Sequence, residues 1–314
     1  MFSRMFGPPP NLMIHGPPML LVLLALTFAN SLLRAQSLAA GISAMEGGRL
    51  EEAERILSEI VRQQPDSADA NLYLGLTRFR AGRSAMARSP LERAVRLSPS
   101  SARAWKALGL VTMSNGNLED ALPALGKACE LAENDEEACY FLARNLQALG
   151  RYESARAPFE KALRAAPEAM TAKVHRAVAL NFVALFMPAE AERHFVKAIK
   201  LARPGQNGTE TNEDARVDYG AFLFRQGRTE EALRPLEQAA HDSPSSARAN
   251  LEWGRVLLHL NRLNHAAACL EKAVALEPGN SNAHLLLGQA YLRLGRISQG
   301  ETEMRLGQES WKGN

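Results

Sequence analysis

Histidine, cysteine and clustered carboxylates are the side chains that could do chemistry here, and this 314-residue chain spaces them poorly for it. Its seven histidines are His15, His175, His194, His241, His259, His265 and His284. They form no HExxH pair and no cysteine–histidine cluster at zinc spacing. There is no glycine-rich phosphate loop and no GxSxG elbow. His175 reads as a packed side chain rather than a ligand. The three cysteines, Cys129, Cys139 and Cys269, are too few for a disulfide framework or a metal site. They are expected as free thiols acting as small buried apolar groups, with a Cys129–Cys139 bridge as the alternative. Asn207-Gly208-Thr209 matches a glycosylation sequon, but the alanine- and arginine-rich composition reads as bacterial and no glycan is expected. The expectation is a protein that is not an enzyme, with no catalytic group, no metal and no cofactor.

Composition narrows the remaining classes. Hydrophobic residues make up 46% and charged ones 23%, so the chain can bury a core and is not a disordered tail. Lys+Arg 37 against Asp+Glu 34 gives a net charge of +3 without a basic block. That field is too weak for a nucleic-acid binder, which must neutralise phosphates.

The elements that position these side chains follow from internal repetition. The segments GRLEEAERILSEIVRQQP, GRYESARAPFEKALRAAP, GRTEEALRPLEQAAHDSP and NRLNHAAACLEKAVALEP align on a turn residue, an alanine, a large apolar residue, a small residue and a closing proline. Pro65 and Pro99 lie 34 positions apart, as do Pro244 and Pro278. Each repeat predicts two helices. Pairs such as Leu74-Gly75, Leu108-Gly109, Trp253-Gly254 and Leu287-Gly288 on the first helix leave room for close packing. Ala53, Ala87, Ala121, Ala155, Ala191, Ala232 and Ala266 lie on the second, with a large residue one turn on. Gly82, Gly116, Gly150, Gly227 and Gly295 fall at the turn between the helices, and Phe186 replaces that glycine once. Proline ends the second helix, and Ser100-Ser101 and Ser245-Ser246 are placed to cap the next.

A period of 34 residues with these alanine, glycine and proline positions resembles the tetratricopeptide repeat. The resemblance covers eight repeats: 34–67, 68–101, 102–135, 136–169, 172–205, 213–246, 247–280 and 281–314. It implies an all-α fold, a right-handed α-solenoid of tandem helix-turn-helix repeats. The insertion at 206–212 (QNGTETN) separates the first five repeats, 34–205, from the last three, 213–314, and is read as a loop that lets the halves hinge. Gly300 and Gly307 in the last second helix predict an end that frays.

Within this family the first helices line a concave groove that holds peptides, so the resemblance implies a binding surface here. The corresponding positions carry Leu72, Leu76, Phe79, Leu110, Met113 and Tyr140, with Tyr73 and Phe141 adjacent. Beside them run Arg80, Arg103, Lys106, Arg144, Lys173, Arg176, Arg225, Arg255 and Arg293, against Asp69, Glu137 and Asp214. The expected partner is a protein or peptide with acidic groups, not a small-molecule substrate and not nucleic acid. The lysine–asparagine pair with which some members clamp a terminal carboxylate is not visible, since Leu110 stands where the asparagine would follow Lys106. The alternative is a structural subunit of an envelope, pilus or secretion assembly that docks by its ends or convex face.

Met19 to Ala29 is an apolar run of 11 residues, short of the roughly 20 that span a bilayer. Arg4 precedes it and small residues follow, the pattern of a signal peptide over 1–29, with a cut after Ala29 or Ala35. Export to the periplasm or beyond is the expectation; membrane contact arises only if this segment stays uncleaved. N-terminal sequencing of protein made in its own host should therefore begin near Asn30 or Gln36. Full-length protein recovered from the cytosol would overturn that reading.

Overall fold

A computed structural model describes residues 37–132, 136–165, 168–202 and 210–312. The expected signal segment and most of the 206–212 insertion lie outside them. Helix and turn account for the described residues, with no strand among them. Two compact units divide the chain, Met1–Asn115 and Gly116–Asn314.

The first unit holds α1 (residues 37–46), α2 (Leu50–Gln63), α3 (Ala68–Arg80), α4 (Ser84–Leu97) and α5 (Ala102–Ser114). The second holds α6 (Leu118–Leu131), α7 (Glu136–Ala148), α8 (Arg156–Ala165), α9 (Glu168–Ala184) and α10 (Pro188–Leu201). It continues through α11 (Glu210–Arg225), α12 (Thr229–Asp242), α13 (Ala247–His259), α14 (Leu263–Leu276), α15 (Ser281–Arg293) and α16 (Ile297–Lys312). Odd-numbered helices are the first of each repeat and even-numbered ones the second. First helices also pack on one another, α3 on α5 in the first unit and α7 on α9, α9 on α11, α11 on α13 and α13 on α15 in the second.

The packing residues are the ones the repeat predicts. Ala53, Ala87, Ala121, Ala155, Ala191, Ala232 and Ala266 have no exposed surface. One turn later Leu57, Leu91, Leu125, Phe159, Phe195, Leu236 and Leu270 are as deeply buried. The contact is close enough to forbid a side chain opposite. A Cβ on Gly75 would lie 2.4 Å from the Leu91 side chain, and one on Gly220 would lie 2.4 Å from Leu236. Serine caps also hold: Ser67, Ser101 and Ser246 accept the backbone N–H of Ala70, Ala104 and Ala249.

Three expectations change, and one departure from the repeat is accommodated. The stack runs on across the insertion, because α11 begins at Glu210 and packs against both α9 and α10. The last repeat does not fray: α16 runs to Lys312, and Gly300 and Gly307 are buried where Leu292 and Leu285 press against them. Absence of a side chain there permits close approach rather than loosening the helix. The glycine position filled by Phe186 keeps its left-handed backbone, φ 56°, with the ring 92% exposed. Finally, Cys129 and Cys139 are not free thiols but a disulfide. The last turn of α6 meets the first of α7, bringing their Cα atoms to 4.6 Å, within bridging reach. Cys269 is free, and burial pushes its thiol up to about 11.

These contacts fix opposite signs for two substitutions. Ala155→Leu, in the turn leading into α8, should lower stability by about 1–3 kcal/mol through overpacking. Phe186→Gly should raise it by about 1 kcal/mol by relieving the left-handed backbone. Denaturant titration of both variants checks the register.

Candidate functional site

In the first unit the expected face falls on α3 and α5. Leu72 is buried, packed with Leu91, Ala104 and Val111, and Phe79 is half-buried against the same cluster. Tyr73 turns its hydroxyl to accept a 2.7 Å bond from Arg103, whose guanidinium also lies 4.8 Å from the ring centre. Lys106 and Met113 are half-buried, and Arg80 is exposed. Leu72 thus belongs to the core, while Tyr73, Phe79, Arg80, Arg103, Lys106 and Met113 edge the surface.

In the second unit the face falls on α7, α9, α11 and α13. Tyr140, read from the sequence as a surface anchor, is only 4% exposed. Its ring meets Phe141 at 5.4 Å and Phe159 at 6.4 Å, inside the core shared by α7, α8 and α9. Burial raises its phenol pKa against the pull of Arg144, which is hydrogen-bonded to it, and Arg176. Lys173 sets its ammonium 5.2 Å from the ring centre. Tyr140 is therefore a buried platform carrying two exposed cations, Arg144 and Lys173.

Arg176, expected to await an acidic partner, is already paired. It reaches Asp214 at 2.8 Å and Asp218 at 2.7 Å on α11. Arg248 of α13 closes on the same two carboxylates, Asp214 at 3.2 Å and Asp218. Burial works against the charge of Arg248, but Asp218 and Asp214 outweigh it and raise its pKa. Asp218 is buried between the two guanidiniums, so three successive first helices are laced by charge. Arg255 pairs with Glu252 one turn before it at 3.2 Å. Arg225, exposed at the end of α11, makes no ion pair among the described residues.

Sequence reading missed Asp218, Arg248 and Glu252. The available signal was Asp214 and Asp218 four apart on one face of α11, with arginines in the flanking repeats. It also missed that His175 of α9 meets His194 of α10, Nδ1 to Nδ1 at 2.9 Å. Burial, followed by the neighbouring His194 and Lys197, holds His175 down to about 4. Burial, Lys197 and Arg193 do the same to His194, also to about 4. No group of three or more metal-ligating side chains occurs among the described residues.

The histidine pair makes stability depend on acid. Both rings are neutral in the fold down to about 4, whereas the unfolded chain takes up protons from its ordinary 6.5 downward. The unfolded state binds more protons in that window, so stability should fall as pH drops from 6.5 toward 4. His194→Gln should flatten that part of the stability curve, measured by denaturant titration at stepped pH.

Comparison with known proteins agrees with this architecture. A tetratricopeptide-repeat family model matches residues 38–101, 79–136 and 223–267, a second matches 112–180, and a TPR repeat model matches 254–295. No curated protein matches. Among solved structures, a chain of the APC/C hetero-tetramer Cut9-Hcn1 superposes with TM-score 0.62 at 19% identity over 80% of this chain. The match takes in 48% of that chain, so this chain spans about half its length. Pseudomonas aeruginosa pilF matches with TM-score 0.57 at 22% identity, over 69% of this chain and 94% of its own. A tetratricopeptide repeat protein from Parabacteroides merdae matches with TM-score 0.61 at 18% identity, over 82% and 98%. These likenesses are of fold.

Proposed function

The chain belongs to the tetratricopeptide-repeat family, whose repeats are protein-interaction scaffolds, and on that premise we propose that it is a non-catalytic adaptor holding a protein or peptide partner against its first helices. The observation that carries this reading is the charge left over on the second unit. Asp214 and Asp218 are consumed by Arg176 and Arg248, and Glu252 by Arg255. Arg144, Lys173 and Arg225 remain exposed, and the first two are steadied by Tyr140. Fixed, unneutralised cations beside paired ones suit a partner with acidic groups, setting its on-rate and register. The face of α3 and α5 offers apolar contacts at Tyr73, Phe79 and Met113, where affinity concentrates, with Arg80 and Lys106 beside them.

The expected place of work is outside the cytosol. The Cys129–Cys139 disulfide supports this, because such bridges persist in oxidising compartments. No helix among the described residues is long and apolar enough to cross a membrane.

One observation favours docking by an edge instead. Phe186 is an aromatic ring almost wholly in solvent on a left-handed backbone, in the turn between α9 and α10. Exposed apolar surface of that kind marks contact sites. The two readings separate by substitution. A partner captured from the cell envelope by crosslinking should bind Arg144→Glu with Lys173→Glu at least about tenfold more weakly than wild type, with the gap closing at high salt. Unchanged binding in that variant, together with loss in Phe186→Gly, would replace the adaptor by the assembly subunit.

A further inference from the structure

Between α2 and α4, with α3 as its third wall, the first unit opens a cleft of about 500 Å3. Four guanidinium groups line it, Arg62 of α2, Arg78 of α3, and Arg93 and Arg96 of α4, with the hydroxyls of Ser58 and Ser89 between them. No carboxylate lines it. Two of the arginines are committed. Arg62 pairs with Glu59 at 2.6 Å. Arg78 pairs with Glu54 at 2.8 Å and donates at 3.1 Å to the carbonyl of Met86. That carbonyl is free because Pro90, four residues on inside α4, has no N–H to give it.

The other two are not committed. Arg93 and Arg96 stand three apart on α4, both exposed, and meet no acid among the described residues. Like charges one turn apart repel, so the fold gains nothing by placing them there. Nor does the repeat require them. The equivalent positions around α14 carry Glu237, His241, Leu257, Lys272 and Ala275 where this cleft has Ser58, Arg62, Arg78, Arg93 and Arg96. One cation and one acid there replace four cations and none here.

We propose that this cleft binds a phosphate group. Its surplus is the two charges of Arg93 and Arg96, and a phosphomonoester at about −1.5 to −2 matches it where a single carboxylate falls short. Guanidinium forks address two phosphate oxygens each, and Ser58 and Ser89 can donate to the rest. The site lies between second helices, apart from the first-helix face, and is independent of the adaptor reading.

Two probes on the full chain test it. Pyrophosphate titrated calorimetrically reports a soluble phosphate ligand. Cosedimentation with phosphatidylcholine vesicles, with and without phosphatidic acid, reports a lipid headgroup. Arg93→Glu with Arg96→Glu should weaken whichever probe binds by about tenfold or more. Ser89→Asp, which keeps both arginines but places a carboxylate in the cleft, should weaken it in the same direction. Arg88→Glu, on the same helix but outside the cleft, should leave it unchanged, and melting curves should match wild type throughout. Binding of pyrophosphate assigns a soluble phosphate, and binding only to phosphatidic acid vesicles assigns a lipid. If neither probe binds, or if the double variant and Ser89→Asp bind as wild type does, the proposal is overturned.

Discussion

Paired helices can approach as closely as they do here only because alanine stands where they meet. Ala53, Ala87, Ala155, Ala191, Ala232 and Ala266 have no accessible surface. The large residue one turn later, Leu91 or Leu236 for example, enters a gap left by a glycine on the facing helix. Interlocking of this kind is ridge-into-groove packing reduced to its smallest side chains. A chain that buries its core in such increments needs neighbours on both sides, so the stability of one repeat is tied to the next. Everything else in the molecule is laid over that spacing.

Electrostatics is the second layer, and it repeats for a physical reason. Stacking puts the same helix positions of successive repeats side by side, so complementary charges at those positions meet along the stack. Arg83 reaches Glu54, Arg151 reaches Glu119, Arg228 reaches Glu192 and Arg262 reaches Glu230, each an arginine opening a second helix against the repeat before it. The Arg151 and Arg262 pairs are exposed and individually weak, but the recurrence of all four fixes the register of neighbours. On the first-helix side Asp218 joins Arg176 and Arg248 in a more buried version of the same device. A buried carboxylate between two guanidiniums specifies which helices lie adjacent rather than adding much stability.

The pairing also decides where function can sit. Charges used to hold the stack together are unavailable to a partner, so a count of arginines on a face overstates its attraction. Those left over include Arg80, Arg144, Lys173 and Arg225 on the first helices and Arg93 and Arg96 between the second helices. Both sets are set on rigid helices rather than loops, which keeps their geometry fixed before anything binds.

Repeat length, helix pairing and the packing alanines were legible in the amino-acid sequence, because they depend on spacings within one repeat, and helix periodicity projects such spacings directly onto a face. Serine caps and the turn glycines were legible for the same local reason. Tyr140 was misplaced because burial depends on the neighbours above it, here Phe159 and Lys173, which no spacing within its own helix encodes. Arg176 looked free because its carboxylate partners lie on α11, beyond the irregular insertion that obscures the register between repeats five and six. The Cys129–Cys139 bridge turned on how two helix ends cross, a distance sequence separation does not determine. Local periodicity thus set the fold, and the contacts between repeats decided which side chains remained exposed to meet another molecule.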